Sequence, residues 1–431
     1  MKSLRKEILA IALPAIASNI TTPLLGLVDA AISGHIGPPV YLGAIAVGGT
    51  MFNMLYWVLN FLRMGSGGLT AQACGRGDRP AQATVLWRGL LLAALLGVAL
   101  IACSPAACPV ALRLLDSDAP TSALAARYFG ILIWGAPAVL GNYVLSGWFL
   151  GMQNARAPMW MAIWTNIVNI AVSLTLVVGL GWRIEGVAVG SLTAQWTGFA
   201  LGIAMLRRYR PQRIVWRRIV AGDGLRRYFS INADIFLRTL CLVAVTMWFT
   251  RTGARSGVLT LAANALLMQL FYLFSFFMDG FAYSAEALGG RFHGSRDAAS
   301  LHRLIRALLR IGAVLAAATA AIYLLGGHLL LRALTDRPEV VAEAGRYLPW
   351  AALVPLAGVW AFVWDGIFIG LTRTRAMLAA MASAMLAFFI TLLAARPLGN
   401  DGLWLAFCVY LLTRGAVEWL LYARHSSLTP Q

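Results

Sequence analysis

Apolar runs of about 20 residues, the length that crosses a bilayer, recur from Ile8 to Tyr422 and are broken only by short polar or Gly/Pro-rich segments. They place helices near 8–33, 41–71, 83–108, 124–151, 158–180, 186–206, 228–252, 257–288, 303–333, 343–371, 375–394 and 401–423. Composition agrees. Of 431 residues, 60% are hydrophobic and 12% charged, against roughly 45–50% and about 25% in soluble domains. The expected fold class is therefore an all-α integral membrane protein of about twelve transmembrane helices. The first run holds Pro14, Asn19, Pro23 and Asp29 and is too long for a cleaved signal peptide, so the chain is expected to be mature as written.

A formal net charge of +18 would suggest nucleic acid in a soluble protein. Its distribution points to a membrane instead. Lys2, Arg5 and Lys6, then Arg76, Arg79 and Arg88, then Arg156 and the stretch 207–227 fall on one side of the alternating helices. Arg291, Arg296, Arg303 and Arg306, then Arg373 and Arg375, then Arg424 continue the series, while the opposite loops carry little positive charge. This is the positive-inside pattern, with both termini cytoplasmic. The partners it implies are membrane lipids and not nucleic acid. The five cysteines have no metal-ligand spacing with any histidine; Cys103 and Cys108 could meet only in an oxidising compartment.

The chain also repeats itself. Ser146 to Met159 (SGWFLGMQNARAPM) matches Asp365 to Leu378 (DGIFIGLTRTRAML) without gaps at a displacement of 219 residues (365 − 146), aligning Gly147 with Gly366 and Gly151 with Gly370. Thr70 to Asp78 resembles Ala285 to Asp297 once a small insertion is allowed. The expected organisation is two six-helix bundles related by a pseudo-two-fold axis: an N-lobe over 1–206, a basic linker over 207–227 and a C-lobe over 228–431. Parallel repeats of this kind place a substrate path where access can alternate. In the linker, Ile214 to Val220 can lie in the membrane plane around Trp216.

Several polar residues fall at bilayer depth. Asp29 lies well inside the first helix, where a charge costs at least about 2.5–3.5 kcal/mol, so it is either an ion-coupling carboxylate or a structural hydrogen-bonding group. Pro14 and Pro23 on that helix free backbone carbonyls and can bend it. Asn166, Asn169 and Ser173 share a face of the fifth helix, and Ser191, Thr193 and Gln195 of the sixth can complete a polar cluster, with or without a ligand. In the second half Asp234 and Arg238 are one turn apart and read as a local ion pair, as do Arg414 and Glu418. Asp279, Glu286 and Asp365 either form a second acidic site, with Asn264 and Gln269 adding neutral groups, or pair with Arg63 and Arg238.

Six segments together resemble the multidrug and toxic compound extrusion (MATE) family, in its DinF-like branch. They are Leu13 to Gly37, Gly68 to Asp78, Leu150 to Met159, Asn232 to Leu242, Met278 to Arg291 and Asp365 to Arg375. The resemblance covers essentially the whole chain and implies two six-helix bundles about a central cleft, outward export of xenobiotics, and coupling to protons or sodium. It carries Pro14 and Asp29 onto the family's first-helix proline and coupling aspartate, and Asn169 onto an asparagine of the fifth-helix site. Ser173 departs from the pattern, since Asp is common there in similar sequences; one carboxylate rather than two remains. Asp365 looks like the tenth-helix acid of a C-lobe cation site, whereas Asp234 does not clearly match its seventh-helix companion.

The expected function is a secondary active multidrug or organic-cation antiporter in a bacterial plasma (inner) membrane, acting as a monomer on small cationic or amphipathic substrates. Asp29 is the expected coupling group, with Asn169, Asn166, Ser173 and Ser191 around it, and sodium could bind at Asp29. No other metal and no cofactor is expected. A lipid-linked precursor flippase of the same superfamily is the alternative within transport. A membrane-embedded transferase lacks support, because no Asp-rich run or loop histidine suited to catalysis occurs among His35, His293, His302, His328 and His425.

Overall fold

A computed structural model describes residues 2–34, 39–115, 118–212, 216–219 and 222–426, leaving aside the side chains of 2, 22–34, 39, 218, 223, 425 and 426. Among the described residues fifteen α-helices follow one another: α1 Lys2–Gly34, α2 Pro39–Leu59, α3 Phe61–Gly75, α4 Arg79–Leu114, α5 Ala119–Leu132, α6 Ala136–Gly151, α7 Arg156–Leu174, α8 Ile184–Leu206, α9 Trp216–Ile219, α10 Gly222–Arg255, α11 Val258–Gly294, α12 Ala298–Leu334, α13 Pro338–Gly370, α14 Thr374–Ala394 and α15 Asn400–Ser426. Among the described residues, 11 helical spans are long and apolar enough to cross a membrane, with α2 and α3 joined and α5 and α6 joined. The remaining long helix, α1, has 33 residues, about 50 Å of rise.

Two expected spans are thus interrupted. Helices α2 and α3 meet at Asn60, and a 3₁₀ turn at Ile133–Gly135 separates α5 from α6. The second break has a covalent cause. Pro137 has no N–H for the Ile133 carbonyl, which accepts instead from the N–H of Ala136, one residue too early for an α-turn.

The chain forms two compact units, Leu13–Tyr228 and Met1–Ala12 with Phe229–Gln431. Their bounds differ from a simple division at the basic stretch. That stretch packs within the first unit, where Trp87 Nε1 donates to the Gln212 carbonyl (3.1 Å) and Arg88 Nε to the Ile219 carbonyl (2.8 Å). Its short helix α9 leaves Trp216 61% exposed; Ile214 and Val220, the expected ends of the in-plane segment, lie outside the described residues. The first turns of α1 belong to the second unit, held there by an ion pair between Glu7 and Arg291 and by Ser284 Oγ donating to the Ile8 carbonyl (2.9 Å).

The sequence repeat has a packing cause. In the first unit a Cβ on Gly147 or Gly151 would lie closer than 3.0 Å to the backbone oxygens of Arg63 and Gly67, so α6 backs directly onto α3. In the second unit Gly366 and Gly370 of α13 stand in the same relation to the backbone oxygens of Ala282 and Glu286 on α11. Each residue of the second set lies 219 positions after its counterpart in the first. Small residues four apart on a helix allow this approach, which replaces a hydrophobic driving force that lipid does not supply. Helix α13 is the most enclosed, with 83% of its apolar window buried. By contrast α12 turns Val314, Leu325 and Leu329 outward, as a lipid-facing surface does.

Gly147→Ala and Gly366→Ala should each destabilise the chain by about 1–3 kcal/mol, because the added methyl meets backbone that cannot rotate away. Thermal unfolding in detergent checks this, with Gly49→Ala, which meets open space, as the control.

Candidate functional site

In the first unit the polar face of α7 lies between α1 and α8. Asn166 Nδ2 donates to the Thr21 carbonyl of α1 (3.0 Å), and Asn169 Nδ2 donates to Ser191 Oγ of α8 (2.7 Å). Asn169 and Ser173 are fully enclosed. Ser173 sits at the tightest point of the α7/α8 contact, where a Cβ on Gly190 would collide with its Oγ and backbone. Among the described residues, Asn169 Oδ1 and Ser173 Oγ have no hydrogen-bond partner. Leaving such atoms unpaired costs about 1–3 kcal/mol each, so they point to a role beyond packing. Past Ser173 the helix loosens into a π-turn over Thr175–Gly179, a feature common beside functional sites.

The structure brings together Asn166, Asn169, Ser173 and Ser191 of the expected set. Gln195 points elsewhere: its Oε1 abuts Gly135 at the 3₁₀ turn, and its backbone carbonyl accepts from Asn142 of α6 (3.3 Å). Pro14 lies within α1, which remains helical through it. Asp29 and Pro23 are on the same helix, Asp29 eight residues beyond Thr21, or about 12 Å along the axis. The Asp29 carboxylate and the Pro23 ring lie outside the described residues.

The second unit holds a buried cluster of charges. Asp365 of α13 is ion-paired through Oδ2 with both Arg238 of α10 and Arg414 of α15, and all three side chains are at most 10% exposed. This corrects the expected Asp234–Arg238 pair. Asp234 instead accepts from Thr374 Oγ1 at the start of α14 (2.7 Å). A one-turn pair at a helix surface gains only about 0.2–0.5 kcal/mol, whereas a buried guanidinium demands a carboxylate in its own dry surroundings. Asp365 is the carboxylate that α13 delivers there. Arg414 likewise bonds Asp365, not its expected partner Glu418, which is fully buried on α15; among the described residues neither Glu418 carboxylate oxygen has a hydrogen-bond partner.

Of the two arrangements expected for the C-lobe acids, a shared acidic site or pairing with Arg63 and Arg238, Asp365 takes the second with Arg238, and the four acids divide. Asp365 is held by two arginines and Asp234 by a threonine, while Glu286 is buried on α11 and Asp279 half-buried two turns before it. Asn264 also leaves the set, exchanging hydrogen bonds with Asn400 (2.7 and 3.0 Å) and accepting from Trp404 Nε1 (2.9 Å). Among the described residues no three His, Cys, Asp or Glu side chains converge as metal ligands, and the five cysteines are free thiols. Sequence reading missed the part played by Arg414; its only signal was the one-turn spacing to Glu418, which suggested a self-contained pair.

The MatE family model matches residues 14–175 and again 234–393, two segments whose starts differ by 220 (234 − 14). The chain belongs to the MatE family. MatE proteins are multidrug efflux transporters, and this one is a multi-pass membrane protein of that family. Among its relatives is the DNA damage-inducible protein F of Escherichia coli K12, 39% identical over 428 residues, covering 97% of this chain and 92% of that one. Protein DETOXIFICATION 45, chloroplastic, of Arabidopsis thaliana is 24% identical, covering 95% and 76%. The fold matches an outward-facing multidrug resistance MATE family transporter of the MOP superfamily with a TM-score of 0.89, at 18% identity over 99% of this chain and 97% of that one. The Vibrio cholerae MATE transporter VcmN in its bent form matches equally well, TM-score 0.89 at 19% identity over 98% and 97%. The family and these two solved structures are transporters, which points away from an enzyme.

Asp365→Asn should strand two buried guanidiniums and destabilise the protein by about 3–5 kcal/mol. Asp234→Asn keeps an acceptor for Thr374 and should cost under about 1 kcal/mol. Thermal unfolding of the two variants in detergent compares them directly.

Proposed function

We propose that this MatE protein is a secondary active antiporter that exports organic cations and amphipathic drugs by alternating access, driven by protons or sodium entering at Asp29. The observation that carries the reading is the hydrogen bond from Asn166 to the Thr21 carbonyl. It ties the helix that bears Asp29 to the helix that bears Asn169 and Ser173, whose buried oxygens have acceptor capacity to spare. A carboxylate at bilayer depth that alternates between a protonated or cation-bound form and an ionised form changes what α1 can bond to. Pro14 and Pro23 give that helix points at which to bend in response.

The second unit supports the same assignment by contrast. The Asp365 charge is already met by Arg238 and Arg414, so it needs no mobile cation. With Ser173 in place of a second carboxylate, Asp29 is left as the principal coupling group of the first unit. The proposed setting is a bacterial plasma membrane, with both termini cytoplasmic and the monomer as the transporting form.

Asp29→Asn should insert and unfold like the parent yet abolish gradient-driven efflux of a fluorescent organic cation from proteoliposomes; unchanged efflux would sink the assignment. Running separate proton and sodium gradients in the same vesicles identifies the coupling ion. Asn169→Ala should slow efflux by roughly tenfold or more, through loss of one buried polar ligand worth about 1–3 kcal/mol.

A further inference from the structure

Each unit has a cleft at the same place in the repeat. In the first unit it lies between the start of α10, the end of α3 and the start of α4; in the second, between the start of α1, the end of α11 and the start of α12. The frames match in detail. Asp78 caps α4 by accepting from the Ala81 N–H (3.0 Å), and Asp297, 219 residues later, caps α12 by accepting from the Ser300 N–H (2.9 Å).

The chemistry of the two clefts differs. In the first, Asp78 is in the wall and Arg88 is engaged by the Ile219 carbonyl. The second has a volume of about 530 Å³ and is lined by Arg5, Arg303, Arg306 and Arg310. Among the described residues its one lining acid, Glu7, is ion-paired with Arg291, which is not part of the lining. Arg303 donates to Ser300 Oγ (2.9 Å). Among the described residues, Arg5, Arg306 and Arg310 have no hydrogen-bond or ion-pair partner. Leu4, Phe292 and Ile311 supply an apolar wall, and α12 runs on from there as a membrane span.

We propose that this second cleft binds the phosphate-bearing headgroup of an anionic phospholipid, with the acyl chains leaving along the apolar wall. Four guanidiniums from two helices converge on one cavity and repel one another until an anion arrives, and guanidinium forks match phosphate oxygens. A free phosphate would satisfy the arginines but leave the apolar wall without a ligand. A zwitterionic headgroup would fill the space but bring an ammonium among the arginines. An anionic lipid meets both conditions, and basic pockets at the ends of membrane helices are where such headgroups bind. Bound there, it ties the start of α1 to α12.

The test is native mass spectrometry of the full chain released from detergent, with dioleoylphosphatidylglycerol, dioleoylphosphatidylcholine or inorganic phosphate added. The phosphatidylglycerol adduct should be retained about tenfold more strongly than the phosphatidylcholine adduct. Arg303→Gln, Arg306→Gln and Arg310→Gln together should bring the two within about twofold, whereas Arg76→Gln with Arg227→Gln in the other cleft should leave the preference intact. Ala307→Trp fills the cavity with every arginine in place, and it too should abolish the preference, which covers the case of a triple variant that fails to fold. A preference that survives Ala307→Trp overturns the proposal. So does displacement of phosphatidylglycerol by an equal concentration of inorganic phosphate, which would make this a free-anion site. Binding is read without transport, so failure here leaves the efflux reading standing.

Discussion

Everything in this protein depends on how closely two pairs of helices approach. Lipid tails are as apolar as leucine, so helices in a bilayer are not driven together by water; they cohere by backbone proximity and polar contacts. Here Gly147 and Gly151 admit the backbone of α3, and Gly366 and Gly370 admit that of α11. The contacts are backbone to glycine, which leaves the facing side chains free to differ. Position 67 is glycine and its counterpart 286 is a buried glutamate, yet the helix pairing is the same. One scaffold can therefore carry two kinds of interior.

It does so. In the first unit the polar face of α7 presents amides and hydroxyls, and Asn166, Asn169 and Ser173 with Ser191 of α8 contribute no net charge. The second buries guanidiniums and carboxylates, organised around Asp365. A neutral polar cluster brings no charge of its own into the membrane, whereas the Asp365 carboxylate is matched there by two guanidiniums. The two sets sit on helices that do not correspond in the repeat: a displacement of 219 residues carries α7 onto α14, while Asp365 is on α13, the counterpart of α6.

Much of the architecture was legible in the sequence because the membrane enforces it: the helices are counted by length and hydropathy, and the repeat is visible because Gly147 and Gly366 cannot change without collision. The polar face of α7 was legible for the same reason, since helical spacing alone puts Asn166, Asn169 and Ser173 on one side. Partnership across distance could be read only as one alternative among several, pairing of Asp365 with Arg238 standing beside a shared acidic site and an Asp234–Arg238 pair. Arg238 had Asp234 one turn away and took Asp365, 127 residues off; Arg414 did the same despite Glu418. Local spacing says which groups could meet, but burial decides which must. The break before α6 was likewise written in the chain, in Pro137, but masked by the unbroken hydropathy around it.

The division of α1 bears on how such a chain is made. Its residues up to Ala12 belong to the second unit, and Ile8 meets its hydrogen-bond donor at Ser284, 276 positions later. The start of α1 therefore cannot make this contact until the chain has been synthesised through α11. Until α11 exists, the Ile8 carbonyl must lack the Ser284 hydroxyl that it bonds in the folded chain.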